Sequence, residues 1–383
     1  MHAEAPDYRE SALLSDLVPA AALSLGAGQI LDAGAGRRAA RLALDSELRV
    51  AVVALIDGMG ARLLRDRAAH APFLRSLLPE SLPMSAGFPS TTANSLSSLG
   101  TGMLPGAHGV VGYRLLDPER SIVFNQLTGD PDVDPEVWVP DATLFERLTD
   151  AGVDVVNLGE PKFAGRGLNQ SSLRGGRFLG STTLEERVGH ALEEIRWPGR
   201  RLIYLYWGNL DKTGHVRGVD SWEWLEELEH LDGRLESLAQ AIGPDTGLFI
   251  TADHGMVDVP HENRLDLAEE PALRAGVAAI GGEPRAVHVY TEPGAAGEVA
   301  TAYREVLGER ALVLEREEAI RSGFFGPVRQ RNLARIGDVL AICAEGFGIV
   351  DSTSDSPAAL SLLGHHGGIT ERELDIPLLR VGG

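Results

Sequence analysis

The sequence predicts an α/β fold: a central, mostly parallel sheet between helices, with a small inserted α+β lobe. Three observations predict it. The short runs at 49–56, 202–207 and 247–251 are apolar throughout, as strands covered on both faces are. Segments with apolar residues at i, i+3 and i+4 lie between them, as crossover helices do. Each run then ends abruptly in polar, ligand-type residues, at the carboxyl ends of strands where open α/β sheets place their sites.

Composition narrows the function. The chain has 383 residues, 44% hydrophobic and 23% charged, a globular balance. That length exceeds what one core usually fills. The expected division is a main α/β part over 1–257, an inserted smaller lobe over 258–362, and a return to the main part over 363–383. Lys and Arg total 35 against 55 Asp and Glu, a formal charge of −20. Such a surface repels nucleic-acid backbones and anionic lipid, which argues against a nucleic-acid duplex or a membrane as partner. A small anionic substrate is compatible if a metal ion supplies a local positive centre. The one cysteine, Cys343, lies in an apolar run and reads as a small buried hydrophobe rather than a nucleophile. The first residues lack a basic segment followed by an apolar one, and no stretch approaches ~18 apolar residues, so a cytoplasmic location is expected. Oligomeric state has no signature here.

Taken in order, residues 11–30 read as an amphipathic helix. Leu31-Asp32-Ala33-Gly34-Ala35-Gly36 then imitates a nucleotide-binding loop, but only two apolar residues precede it where a full strand is needed. A loop leading into a helix accounts for it better. The strand at 49–56 ends in Asp57-Gly58-Met59-Gly60, and a helix starts near Ala61; Asp57 suits either a helix cap or a metal ligand. Pro89-Ser90-Thr91-Thr92 leads into a helix near Thr92. Capping explains one of those hydroxyls and leaves the others available at a helix N-terminus, where backbone N–H groups can hold an anion. Strand-like patches lie at 111–116 and 121–125, a helix at 141–151, a strand at 153–158, a loop near the site at 160–182, and a helix at 183–196. The strand at 202–207 leads to Asp211 and His215, four apart and on one side of a helical turn. A helix over 222–242 follows. The strand at 247–251 ends in Asp253-His254-Gly255. The lobe holds strands at 285–290, 311–314 and 337–343 and helices at 295–307 and 316–321. Gly364-His365-His366-Gly367 precedes a last strand at 377–381.

The strand ends together offer Asp57, the hydroxyls at 90–92, Asp211 with His215, Asp253 with His254, and His365 or His366. Mixed Asp and His donors suit zinc or a similar borderline ion, and this many suffice for two divalent ions, the usual clamp for phosphoryl transfer. A metal-held threonine hydroxyl is a competent nucleophile.

These motifs, with Gly100-Thr101-Gly102-Met103-Leu104-Pro105-Gly106-Ala107-His108-Gly109, resemble the alkaline phosphatase superfamily, in its type I phosphodiesterase/nucleotide pyrophosphatase branch. The resemblance runs from about residue 49 to the end. It implies an alkaline-phosphatase-like fold and a hydrolase of phosphoric esters, acting on a small phosphate-ester substrate through a covalent phospho-threonine. It implies Thr92 as nucleophile, with Thr91 the alternative one residue away. One ion would be held by Asp57, Thr92, Asp253 and His254, and the other by Asp211, His215 and His366. His365 would take the place of His366 in a shifted register, and His108 would be structural. Family members carry a phosphoryl-binding asparagine where this chain has Tyr113, and Asn94 is a possible substitute. A phosphomonoesterase, a phosphonate hydrolase and a catalytically silent metal-binding protein are the competing expectations. A sulfatase is the least expected of the alternatives, because no Cys/Ser-x-Pro-x-Arg motif is present.

Overall fold

A computed structural model describes residues 5–8, 10–44 and 47–382. Its centre is a seven-stranded sheet in the order Leu82–Ser85, Asp375–Val381, Thr246–Thr251, Val50–Ile56, Arg201–Trp207, Asp154–Gly159, Arg177–Gly180. Only Asp375–Val381 runs against its neighbours. The architecture is therefore the mostly parallel α/β sheet that the sequence implied. All seven residues of Val50–Ile56 are buried, so both faces of the sheet are covered. Helices Leu17–Ser24, Thr92–Thr101 and Leu144–Asp150 pack together as one cover; Pro72–Leu77, Leu184–Arg196 and Trp222–Ala241 form the other. The 20-residue helix Trp222–Ala241 buries Trp224, Leu228, Leu231, Leu235 and Leu238, while Trp222 at its start is exposed.

A second, antiparallel sheet has the order Val277–Glu283, Ala286–Thr291, Val339–Cys343, Ala311–Glu315. Its alternation splits cleanly between two cores. Val287, Val289, Val313, Ala341 and Cys343 face helix Ala296–Leu307 through Val299 and Tyr303. Ala286, Leu314, Leu340 and Ile342 face Phe88, Val110, Leu115, Phe124 and Trp138. Burial pushes the Cys343 thiol up to about 12, in keeping with an inert core cysteine. No described helix is long and apolar enough to cross a membrane.

Some elements differ from the sequence reading. Within 11–30 only Leu17–Ser24 is α-helical, and seven of its eight residues are buried, so it is a core helix rather than an amphipathic one. The stretch 160–182 contributes the edge strand Arg177–Gly180, whose half-exposed residues carry no apolar signal. Leu82–Ser85, another edge strand, is equally faint. The strand Val277–Glu283 was hidden by its two glycines. Asp32 caps helix Ala33–Ala39 by accepting from the N–H groups of Gly34 and Ala35, which are thereby spent on the chain's own carboxylate.

Candidate metal centre

The site gathers at the carboxyl ends of Val50–Ile56, Arg201–Trp207 and Thr246–Thr251. Asp57 leaves the first strand with its N–H on Trp207 O at 2.9 Å. Gly58, at φ 74°, turns the chain away, and a Cβ there would stand 3.0 Å from the Asp211 Cα, so only glycine lets these two carboxylates approach. Asp253 Oδ1 accepts from Gly58 N–H at 3.2 Å and from His254 N–H at 3.1 Å. Gly255 passes under Arg372, where a Cβ would meet its carbonyl oxygen at 1.9 Å.

The three imidazoles share one arrangement. Nδ1–H donates to a backbone carbonyl in each: His254 to Gly255 O at 2.9 Å, His215 to Gly364 O at 2.7 Å, His366 to Ser90 O at 2.9 Å. Each Nε2 is thus turned inward, as in metal-ligating histidines. His254 Nε2 lies 3.3 Å from Asp57 Oδ1, 3.4 Å from Asp253 Oδ2 and 3.1 Å from Thr92 Oγ1. His215 Nε2 lies 3.3 Å from Asp211 Oδ2, and His366 Nε2 lies 3.3 Å from His215 Nε2 and 3.7 Å from Asp211 Oδ1. The rings of His254 and His366 stack at 3.6 Å and join the two sets.

Buried Asp57 Oδ1, Asp211 Oδ1 and Asp253 Oδ2 have no hydrogen-bond donor. Three orphan carboxylate oxygens gathered around three inward-facing imidazole Nε2 atoms form a cage that a cation completes, displacing the proton held on His215. Two sets meet the geometry of a metal site: Asp57, Asp253 and His254; and Asp211, His254 and His366. The first set matches three of the expected ligands; in the second, His254 stands where His215 was expected, and His215 Nε2 lies beside it on Asp211. The residues present therefore fit a bound divalent cation.

The electrostatics reflect the crowding. Burial, then the nearby Asp253 and Asp211 carboxylates, push the Asp57 carboxyl well above its ordinary range. Burial also raises Asp253, against the pull of His254. Burial opposes charge on Asp211 too, but the His215, His366 and His254 imidazoles hold it below its usual range. Burial works against charge on His215, yet Asp211 pushes it up to about 9. Burial and the neighbouring His254 keep His366 well below its ordinary value.

All seven expected ligands thus meet in one place. Thr92 opens helix Thr92–Thr101, and its hydroxyl, not that of Thr91, contacts the cluster. His365 donates through Nε2 to Leu362 O at 3.3 Å and pairs in a short strand with Val257. His108 bonds Ser98 Oγ at 3.0 Å and accepts from Val110 N–H, a structural role. Asn94 corrects the sequence reading. It is fully buried, and its amide donates to Pro89 O at 2.8 Å, so it braces the loop instead of facing the cavity.

A cavity of about 550 Å³ opens onto Asp57, Thr92, Asp211, His215 and His366. Tyr113 lines it, and its hydroxyl accepts from Asn125 Nδ2 at 2.6 Å. Sequence reasoning missed Asn125, and also Arg114, which lines the same cavity paired to Asp355 at 3.0 Å. It missed Glu283, which accepts from Tyr113 N–H at 2.8 Å and which burial pushes up to about 8. It missed Tyr206, whose hydroxyl donates to Asp57 Oδ2. The one available signal was the pair Tyr204 and Tyr206, polar tips inside an otherwise apolar strand.

A parallel α/β sheet with this Asp, His and Thr cluster at its strand ends defines a class. The chain belongs to the type I phosphodiesterase/nucleotide pyrophosphatase family, whose model matches residues 51–369. It is similar to an uncharacterised pyrophosphatase/phosphodiesterase of Schizosaccharomyces pombe, 27% identical over 213 residues, 53% of this chain and 41% of that one. It is also similar to the phosphopentomutase of Shewanella frigidimarina, 30% identical over 126 residues, 32% of this chain and 29% of that one. The chain therefore aligns with less than half the length of these curated relatives. Among solved structures, murine ectonucleotide pyrophosphatase/phosphodiesterase 5 shares the fold, with a TM-score of 0.70 and 20% identity over 87% of this chain and 88% of the other. An inactive threonine-to-alanine variant of the murine protein, in complex with AMP, matches with a TM-score of 0.71 and 21% identity over 88% of each chain.

Proposed function

We propose that the chain is a metal-dependent hydrolase of phosphoric esters, of phosphodiesterase/nucleotide pyrophosphatase type, acting through a covalent phospho-threonine at Thr92. The observation that carries this is the convergence of three backbone-anchored imidazoles and three unpartnered carboxylate oxygens beside the Thr92 hydroxyl. Asp57, Thr92, Asp253 and His254 hold one ion; Asp211, His215 and His366 hold the other. The donor set suits Zn2+. Bound ions supply charge stabilisation and activated oxygen nucleophiles.

The chain's own residues do the rest. Thr92 Oγ bonds to phosphorus as the opposite P–O bond breaks; its proton goes to solvent, and the departing alkoxide takes one up. Water then adds to phosphorus, the Oγ–P bond breaks, and Thr92 regains its proton. No side chain caps helix Thr92–Thr101, so its first amides are available to a phosphoryl oxygen. Tyr113 supplies a further donor from the cavity wall. The murine protein solved with AMP supports a small nucleotide or other phosphate ester as substrate.

In this reading residues 258–362 are an inserted lobe, supported by the close approach of its two ends, Val259 N–H to Leu363 O at 2.9 Å. A cytoplasmic location is kept as part of the proposal; cell fractionation tests it. For function, the test is metal analysis and turnover of a panel of phosphodiesters, monoesters and phosphonates. Two ion equivalents and diester preference are expected. Full activity without metal, or two bound ions with no turnover of any ester, would overturn the proposal. Preference for monoesters or phosphonates would move the substrate class.

A further inference from the structure

Building on the metal-site reading above, we propose that the buried Arg285–Glu373 ion pair is a positioning device, through which the 258–362 segment fixes the His366 loop. His366 sits on a turn whose backbone is tied at three points. Gly367 N–H donates to Ser90 Oγ at 3.1 Å, Ser90 Oγ–H donates to Gly368 O at 2.7 Å, and Gly368 N–H donates to Glu373 Oε1 at 2.9 Å. Glu373 therefore sets where the far end of the loop lies. Its backbone carbonyl also accepts Gly255 N–H at 2.9 Å, beside His254, so one residue touches the supports of both imidazoles.

What fixes Glu373 is Arg285. Both side chains are fully buried. Arg285 Nε donates to Oε1 at 2.9 Å and Nη2 to Oε2 at 2.8 Å, a two-pronged fork, while Nη1 donates to Ala344 O and Phe347 O. Thr370 Oγ1 donates to Oε2 at 2.7 Å. The carboxylate thus receives four donors, two on each oxygen, and has no freedom left to rotate. Arg285 occupies the turn between strands Val277–Glu283 and Ala286–Thr291, and neither partner lines the cavity. A buried pair is no better for stability than well-packed apolar side chains of the same volume. What those apolar side chains could not provide is orientation: the planar guanidinium fork dictates the plane of the carboxylate, and the carboxylate dictates the Gly368 amide.

The test removes both charges together. The Arg285→Met/Glu373→Met double variant keeps volume and leaves no buried charge unpaired, and Arg285→Lys keeps charge but loses the fork. For each variant, thermal melting reports folding, and Zn2+ titration against a competing chelator reports the affinity of each ion. Both should fold, and one ion, that of Asp211, His215 and His366, should weaken about 10–100-fold while the other changes little, the scale of losing a ligand's support. Unchanged affinity for both ions in either folded variant overturns the proposal, as does equal weakening at both. A wild-type chain that holds no ion would instead overturn the metal-site reading itself.

Discussion

His365→Ala and His366→Ala should cost similar stability yet differ sharply in metal content. Truncating His366 leaves the buried Ser90 carbonyl without its donor, a loss of about 1–3 kcal/mol. Truncating His365, only 4% exposed, removes its bond to Leu362 O and leaves a void of similar cost. Melting temperature therefore does not separate the two. The metal does. His366 Nε2 faces Asp211 and His215 at 3.7 and 3.3 Å, so with the proposed ligand set its loss leaves that ion two protein ligands. Loss of a supporting residue typically costs ~10–100-fold, and loss of a ligand should exceed this, about 2.7 kcal/mol or more. Metal analysis after desalting should find about one equivalent in His366→Ala, two in His365→Ala, and nearly all diesterase activity gone only in the former. One equivalent in His365→Ala and two in His366→Ala would refute the register; two in both would detach the loop from the site.

Other perturbations give distinct readouts. Thr92→Ala should lower kcat by on the order of 10⁴–10⁶-fold with both ions still bound, and Thr91→Ala should keep turnover; the reverse would shift the nucleophile by one residue. Tyr206→Phe, by freeing Asp57 Oδ2, should weaken one ion or kcat/KM about 10–100-fold, and wild-type values would deny Tyr206 a role. Glu283 keeps its proton up to about pH 8 in the folded chain but only to its ordinary 4.5 unfolded, so the protonated carboxyl favours the fold at low pH and that contribution drains away as pH rises from 4.5 through 8. Glu283→Gln should flatten that decline by several kcal/mol, measured as the pH dependence of urea unfolding; parallel curves for both proteins would sink this account.

Much of the site could be read in the chain because it sits where apolar runs stop. Asp57, Asp211 and Asp253 each come soon after a mostly apolar strand, and Gly58 and Gly255 mark two of the turns. Legibility fell where side chains act across the fold. Tyr206 reads as one more strand residue until its hydroxyl is found on Asp57. Asn125, Glu283 and Arg285 come from a hairpin and a lobe turn, and no spacing rule links them to His366 or Tyr113. Asn94 misled because proximity to Thr92 in sequence does not decide which way a helical side chain points. The edge strands Leu82–Ser85 and Arg177–Gly180 were lost for a related reason: a half-exposed strand has no apolar run to show.

The reversed strand Asp375–Val381 has a consequence for biosynthesis. It lies inside the sheet, between Leu82–Ser85 and Thr246–Thr251, and it follows the His366 loop within a few residues. Until that segment leaves the ribosome, Thr246–Thr251 is an apolar edge with its backbone groups unpaired, a template for aggregation. Over the same interval Asp57, Asp253 and His254 are all present while His366 is not. The nascent protein should thus pass through a sticky form competent for one ion only, and a stalled chain ending at residue 363 should bind one equivalent and precipitate. Nascent chains then gain the partner for their apolar edge and the His366 ligand of the proposed second ion in the same late step.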